Sequence, residues 1–188
     1  MSSPANDEVV AQVDRIGATP FSGLAYRYTA TRRDPLSGAG ARLFGGRWNP
    51  RGIYAATYLA IPESACMGEL DRAAASQGMA AVTFLEAPKT FHSLTVTNLP
   101  VLDLRAAEML EQVGLTMDDI AGDEWDACQS VGHAAWFLEF GGVLAPSATG
   151  RGYVLAAFED RVEPGSIAVV TSAPLNPTLY NELSAGAE

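Results

Sequence analysis

The chain has 188 residues, 48% of them hydrophobic and 18% charged, enough apolar material for one sizeable core and too little charge for a disordered chain. Acids outnumber bases 22 to 12, a formal net charge of −10, which is the wrong sign for a protein that grips nucleic acid by neutralising phosphates. The longest apolar runs, 134–138 and 153–158, fall far short of the roughly 18–20 residues of a membrane span, and two cysteines, Cys66 and Cys128, exclude a disulfide scaffold or a multi-cysteine metal site.

The first eight residues contain no basic segment leading into an apolar one, so the expectation is a cytoplasmic chain without a secretory leader. Residues 24–30 alternate larger apolar with smaller or polar side chains, the period of a half-buried strand, with Tyr26 and Tyr28 on one face and Arg27 on the other. Residues 33–51 are rich in Gly, Pro and Arg and read as a long structured loop, returning into a strand over 53–60. Pro62 suits the first turn of a helix over 62–77. Strands are predicted over 81–86, 91–97 and 101–104, and a short helix over 106–113. A longer helix is predicted from an Asp123 N-cap to residue 140, ending at Gly141-Gly142.

Strands over 143–147, 152–159 and 167–172 follow, and Asn176-Pro177 caps a last helical turn or two. Strands and helices do not alternate strictly. That pattern predicts an α+β single domain over 13–183, with a mixed or antiparallel β core and flanking helices, and flexible termini at 1–12 and 184–188.

Charge is unevenly spread. Arg27, Arg32, Arg33, Arg42, Arg47 and Arg51 fall within 25 residues that hold one acid, Asp34, so this stretch carries +5 and the rest of the chain −15. A guanidinium fork grips phosphate or carboxylate through paired hydrogen bonds. One arginine-rich segment on an acidic protein suits a small phosphorylated ligand better than a polymer.

There is no phosphate-binding Walker loop, no Gly-x-Ser-x-Gly elbow, and no His or Cys spacing typical of a metal site. His92 and His133 are isolated, and His133 reads as a packed helix residue. Gly45-Gly46-Arg47-Trp48-Asn49-Pro50 stands out at the end of the arginine segment. Its glycines permit positive φ and close approach of a ligand, and Asn-Pro punctuates the return into a strand. Arg47 and Trp48 are expected to be displayed at this turn.

Glu69 is the second anomaly. On a helical wheel it shares an arc of roughly 140° with Ala65, Cys66, Leu70 and Ala73, the stripe expected to face the core. A carboxylate there is costly unless it is paired or functional. An ion pair with Arg72 or a loop arginine and a catalytic role both remain open.

Tyr26-Arg27-Tyr28, the Gly45 to Pro50 block, Tyr58-Leu59-Ala60 and Ala65-Cys66-x-x-Glu69 together resemble the RES-domain family, named for an arginine, a glutamate and a serine. The segment from Asp123 to Phe137 and Pro177-Thr-Leu-Tyr-Asn-Glu-Leu are similar to the MbcT-type toxins within it. This resemblance implies a fold similar to ADP-ribosyltransferase toxins. It also implies the toxin of a type II toxin–antitoxin pair, which cleaves the nicotinamide–ribose bond of NAD with inorganic phosphate, or water, as acceptor. NAD is then a substrate and no cofactor or metal is needed.

The resemblance carries the family's functional positions onto Arg27, Tyr28, Arg47, Tyr58 and Glu69, with Trp48 beside them. Its serine falls on Ser147, in Ala145-Pro146-Ser147; where close relatives carry a serine at the start of the long helix, this chain has Asp126. Glu69 and Arg47 are the catalytic candidates, and Arg27, Tyr28, Trp48, Tyr58 and Ser147 the substrate-binding ones. The implied partner is a small Xre-like antitoxin covering the active-site cleft, with any DNA binding left to that partner. Mono-ADP-ribosyl transfer to a protein and a non-catalytic anion-binding module are the alternatives.

Overall fold

A computed structural model of the chain describes residues 6–186. Helix α1 (Asp7–Ile16) is followed by β1 (Thr19–Ala30), α2 (Ala39–Phe44), β2 (Ala56–Ile61), α3 (Glu63–Ser76), α4 (Ala81–Phe84) and β3 (Lys89–Asp103). Helices α5 (Ala107–Gln112), α6 (Met117–Ala121) and α7 (Asp126–Phe137) then lead into β4 (Gly142–Pro146), β5 (Tyr153–Phe158), β6 (Ile167–Pro174) and α8 (Pro177–Ala185).

The six strands lie in the order β1-β2-β5-β4-β3-β6, and β1 also pairs with β3, so the first five close on themselves. Every pairing is antiparallel except β3 with β4. The result is the α+β domain with a mixed sheet that the sequence predicts.

Side chains alternate across the strands, as the pleat requires. Ala56, Val143, Ala145, Ala156 and Phe158 face a core with α1, α5, α6 and α7. Leu59, Leu144, Leu155 and Ala157 fill a second cluster with Ala25, Leu94 and Val101. Helices α3, α4 and α8 close a third around Met67, Leu70, Phe91 and Leu175. With both faces of β4 and β5 covered, their sequences read as nearly unbroken apolar runs.

Several elements depart from expectation. The flexible terminus expected through residue 12 is helix α1 from Asp7 onward. Val13 is fully buried, Val9, Val10 and Ile16 pack against the same core, and Asn6 Oδ1 accepts the Glu8 N–H as a cap. Its remaining residues, 1–5, and residues 187–188 lie outside the described part. Residues 184–185, expected to be flexible, complete α8.

The arginine loop contains α2. The strand expected over 81–86 is instead the short helix α4, because Ala81, Phe84 and Leu85 pack beside α3 and tertiary burial outweighs the β propensity of Val-Thr-Phe. The two strands expected over 91–104 are one, Pro100 being accommodated opposite Pro20. Helix α7 starts at Asp126 rather than Asp123, whose carboxylate pairs with Arg72 instead of capping. The preceding α6 carries its own capping box, Thr116 with Asp119.

Helix α7 lies hard against the glycine-rich turn. A Cβ on Gly132 would stand 2.0 Å from the Trp48 carbonyl oxygen and 2.8 Å from its carbon. In an open helix Gly→Ala stabilises by up to about 1 kcal/mol, but here the methyl meets backbone that cannot swing away. Gly132→Ala should therefore destabilise the protein by about 1–3 kcal/mol, as overpacking does, seen as a lower melting temperature in calorimetry; an unchanged or raised one would show that α7 shifts freely.

Candidate active site

A cleft of about 400 Å³ opens between β1, the glycine-rich turn, α3 and the start of α7, within the size range of small-ligand sites. Arg27, Tyr28, Arg47, Trp48, Tyr58 and Glu69 all line it, although they span β1, a loop, β2 and α3. Ser147 joins them from the turn after β4 through a hydrogen bond to Glu69.

The turn is held by its own backbone and by side chains from the elements around it. Gly46 and Asn49 exchange backbone N–H···O bonds of 3.0 and 3.3 Å. The Tyr58 hydroxyl accepts the Trp48 N–H at 2.9 Å and donates to Asn49 Oδ1 at 2.8 Å, while Asn49 Nδ2 donates to the Ala41 carbonyl. A Cβ on Gly46 would lie 2.4 Å from the Tyr58 hydroxyl oxygen, and Gly45 has φ +79°; the two glycines answer to close approach and to left-handed backbone respectively. From α7, Gln129 Nε2 donates to the Gly46 carbonyl at 2.9 Å.

This frame displays Arg47 but not Trp48. Arg47 Nη1 donates to the Asp119 carbonyl at 3.0 Å, and the guanidinium sits over the Trp125 ring, 5.7 Å from its centroid. Trp48, expected to be displayed beside it, is 1% exposed and belongs to the core under α7. Its N–H and carbonyl are taken by Tyr58 and Tyr54, so the peptide is pinned and the ring turns inward. The exposed aromatic at the cleft is Trp125, 38% exposed, which sequence reading passed over because its flanking acids look like an ordinary solvated helix start.

On β1, Arg27 Nη1 donates to the carbonyls of Pro35 at 2.6 Å and Ser37 at 3.1 Å, tying the arginine loop to the sheet. Burial lowers its pKa, with Asp34 opposing and Arg33 adding to the effect. Burial raises the Tyr28 and Tyr58 hydroxyls well above their ordinary range, so both are neutral donors. Cys66, beside Tyr28, is buried and pushed up to about 12, mainly by desolvation, which leaves it an inert thiol.

Glu69 lies half-buried one turn past Cys66, on a helix whose first two turns are buried almost all round, from Ser64 to Gly68. The narrow apolar arc expected of α3 is thus too narrow. Ser147 Oγ donates to Glu69 Oε1 at 2.8 Å, and is itself held by Thr149, whose hydroxyl lies 2.8 Å away and whose N–H donates to it at 3.2 Å. The ion pair left open for Glu69 is absent among the described residues. Arg72 reaches instead to the carbonyls of Ala148 and Ala121 and to Asp123. Asp126 is exposed at the first position of α7 and outside the cleft lining.

A carboxylate oriented by a serine, two arginines anchored through carbonyls, and neutral tyrosines surround one cavity. The chain belongs to the RES domain family, whose model matches residues 19–176. The NAD(+) phosphorylase MbcT of Mycobacterium tuberculosis, like that of Mycobacterium bovis, is 48% identical to it over 185 residues, 98% of this chain and all of the relative. The crystal structure of the M. tuberculosis MbcT–MbcA toxin–antitoxin complex contains a chain that superposes with a TM-score of 0.91 at 48% identity, covering 96% of this chain and 99% of that one.

Removing one hydroxyl tests the frame. Tyr58→Phe leaves the Trp48 N–H and Asn49 Oδ1 without their shared partner, which should cost about 1–3 kcal/mol. Urea denaturation is expected to show this loss with an unchanged m-value; full stability would mean that the turn holds without Tyr58.

Proposed function

We propose that the chain is the toxin of a toxin–antitoxin pair and an NAD phosphorylase, breaking the bond between nicotinamide and ribose and transferring the ADP-ribosyl group to inorganic phosphate. The observation that carries this reading is the meeting of Glu69, Ser147, Arg27 and Arg47 at one cleft, in a chain related over its whole length to NAD(+) phosphorylases. We also place its fold with the ADP-ribosyltransferase toxins and its action in the cytoplasm, where NAD is abundant.

In this mechanism the C–N bond breaks with its electron pair going to nicotinamide, which leaves as a neutral amide. Positive charge develops on the ribose as an oxocarbenium-like state, which a nearby carboxylate stabilises. Glu69 is that carboxylate, and Ser147 fixes its orientation. A phosphate oxygen then forms the new bond to the same carbon, giving ADP-ribose 1-phosphate.

Arg27 and Arg47 each spend one nitrogen on backbone carbonyls, which leaves the rest of each fork for anions. One serves the pyrophosphate and the other the acceptor phosphate. Tyr28 and Tyr58 wall the reacting centre and exclude water, which favours phosphate over hydrolysis.

An unrestrained NAD-consuming enzyme is lethal to its host, so the chain needs an inhibitor. A small Xre-like antitoxin inserting a carboxylate-bearing segment among the arginines fits the cleft's charge. Expression of the chain alone should deplete cellular NAD and stop growth, and co-expression with the antitoxin should restore both. Growth with normal NAD in the absence of any partner would contradict this.

Glu69→Gln is the decisive variant. No cation within 4.0 Å depends on Glu69 among the described residues, and Gln can still accept from Ser147. Phosphate-dependent NAD turnover should fall by about 10²–10³, the loss typical of one electrostatic stabiliser, while the melting temperature holds. Chromatography of the products with phosphate, with water alone and with added protein identifies the acceptor. A folded variant with full turnover would end the assignment.

A further inference from the structure

The aromatic rings around the cleft differ in what they are free to do. Tyr26 is stacked on Phe91, centroids 5.8 Å apart, and Tyr28 meets Phe84 edge-on. Tyr58 commits its hydroxyl to the turn, and Trp48 is in the core. Trp125, at the start of α7, is the exposed ring, and among the described residues the cation over its π-face is the Arg47 guanidinium.

We propose that Trp125 and Arg47 together form the subsite for the adenylate half of NAD, adenine stacking on the indole and the adjoining phosphate held by the guanidinium. This inference rests on the reading of the cleft as an NAD site. It also sets the direction of the substrate: the nicotinamide riboside half lies toward Glu69 and Ser147.

Charge decides the direction. The nicotinamide ring of NAD is cationic and adenine is neutral. A guanidinium over the indole repels a second cation there, but suits a neutral base with an anion attached. At Glu69 the preference is reversed, because a carboxylate attracts the cationic ring and the charge that follows its departure. Different elements hold the two groups. Arg47 and Trp125 sit on the glycine-rich turn and at the N-cap of α7, whereas Glu69 and Ser147 sit on α3 and the turn between β4 and β5.

ADP carries the base and phosphates of that half without the scissile bond, so it reports on the subsite alone. ADP should quench the intrinsic fluorescence of the full chain, and Trp125→Phe should abolish most of the quench while Trp48 and Trp136 remain. In NAD turnover, Trp125→Ala should raise KM, and the Ki of ADP, about tenfold to a hundredfold, the effect of one lost base-stacking surface, and should leave the Ki of nicotinamide unchanged. Trp125→Phe should recover most of that loss.

An ADP Ki unmoved by Trp125→Ala, a nicotinamide Ki moved equally, or a quench that persists in Trp125→Phe would each overturn the subsite. If the wild-type chain consumed no NAD, the enzymatic reading would fail, and the ADP quench would still decide whether Trp125 receives an adenine nucleotide.

Discussion

Everything on the arginine side of the cleft depends on how closely α7 approaches the turn of Gly45 to Pro50. Contact with the Trp48 carbonyl allows no side chain at Gly132, and Gln129 reaches across to the Gly46 carbonyl. The turn is therefore pressed from one side by a helix and hung from the other by the Tyr58 hydroxyl. Because its backbone is fixed from both sides, the position of Arg47 is set by packing rather than by its own long and flexible stem. Preorganised charge of this kind is what transition-state stabilisation needs.

The carboxylate side is organised differently. Glu69 stands on a helix buried on most of its circumference, and a serine hydroxyl rather than a cation satisfies it. That choice keeps the carboxylate's charge available to a ligand. A neighbouring guanidinium would have neutralised it in place. Arg72, one turn further along α3, is drawn aside by two carbonyls and Asp123, which ties the helix to the segments that frame the cleft without discharging Glu69.

Much of this could be read from the residues. Strand alternation around Tyr26 to Tyr28 and the apolar runs of β4 and β5 follow from local pattern, and the glycine pair with Asn-Pro marks a special turn without any coordinates. Glu69 announces itself as an acid where packing favours carbon. What local pattern cannot carry is partnership across the chain. The inward turn of Trp48 depends on two tyrosines, Tyr54 and Tyr58, claiming its peptide groups, and Trp125 meets at the cleft Arg47, 78 residues away in sequence. Helix α1 is hidden because its five apolar residues are diluted among polar and acidic ones, and α4 because a β-prone tetrad lies beside α3.

The gathering of six arginines into 25 residues sets a segment of charge +5 in a chain whose remaining residues carry −15. At long range an anionic nucleotide meets a body of net charge −10 and is turned away. Only within a Debye length, about 8 Å at physiological ionic strength, does the positive segment outweigh the rest. A long polyanion would meet the acidic remainder of the chain as well, whereas a small anion can meet the arginine segment alone.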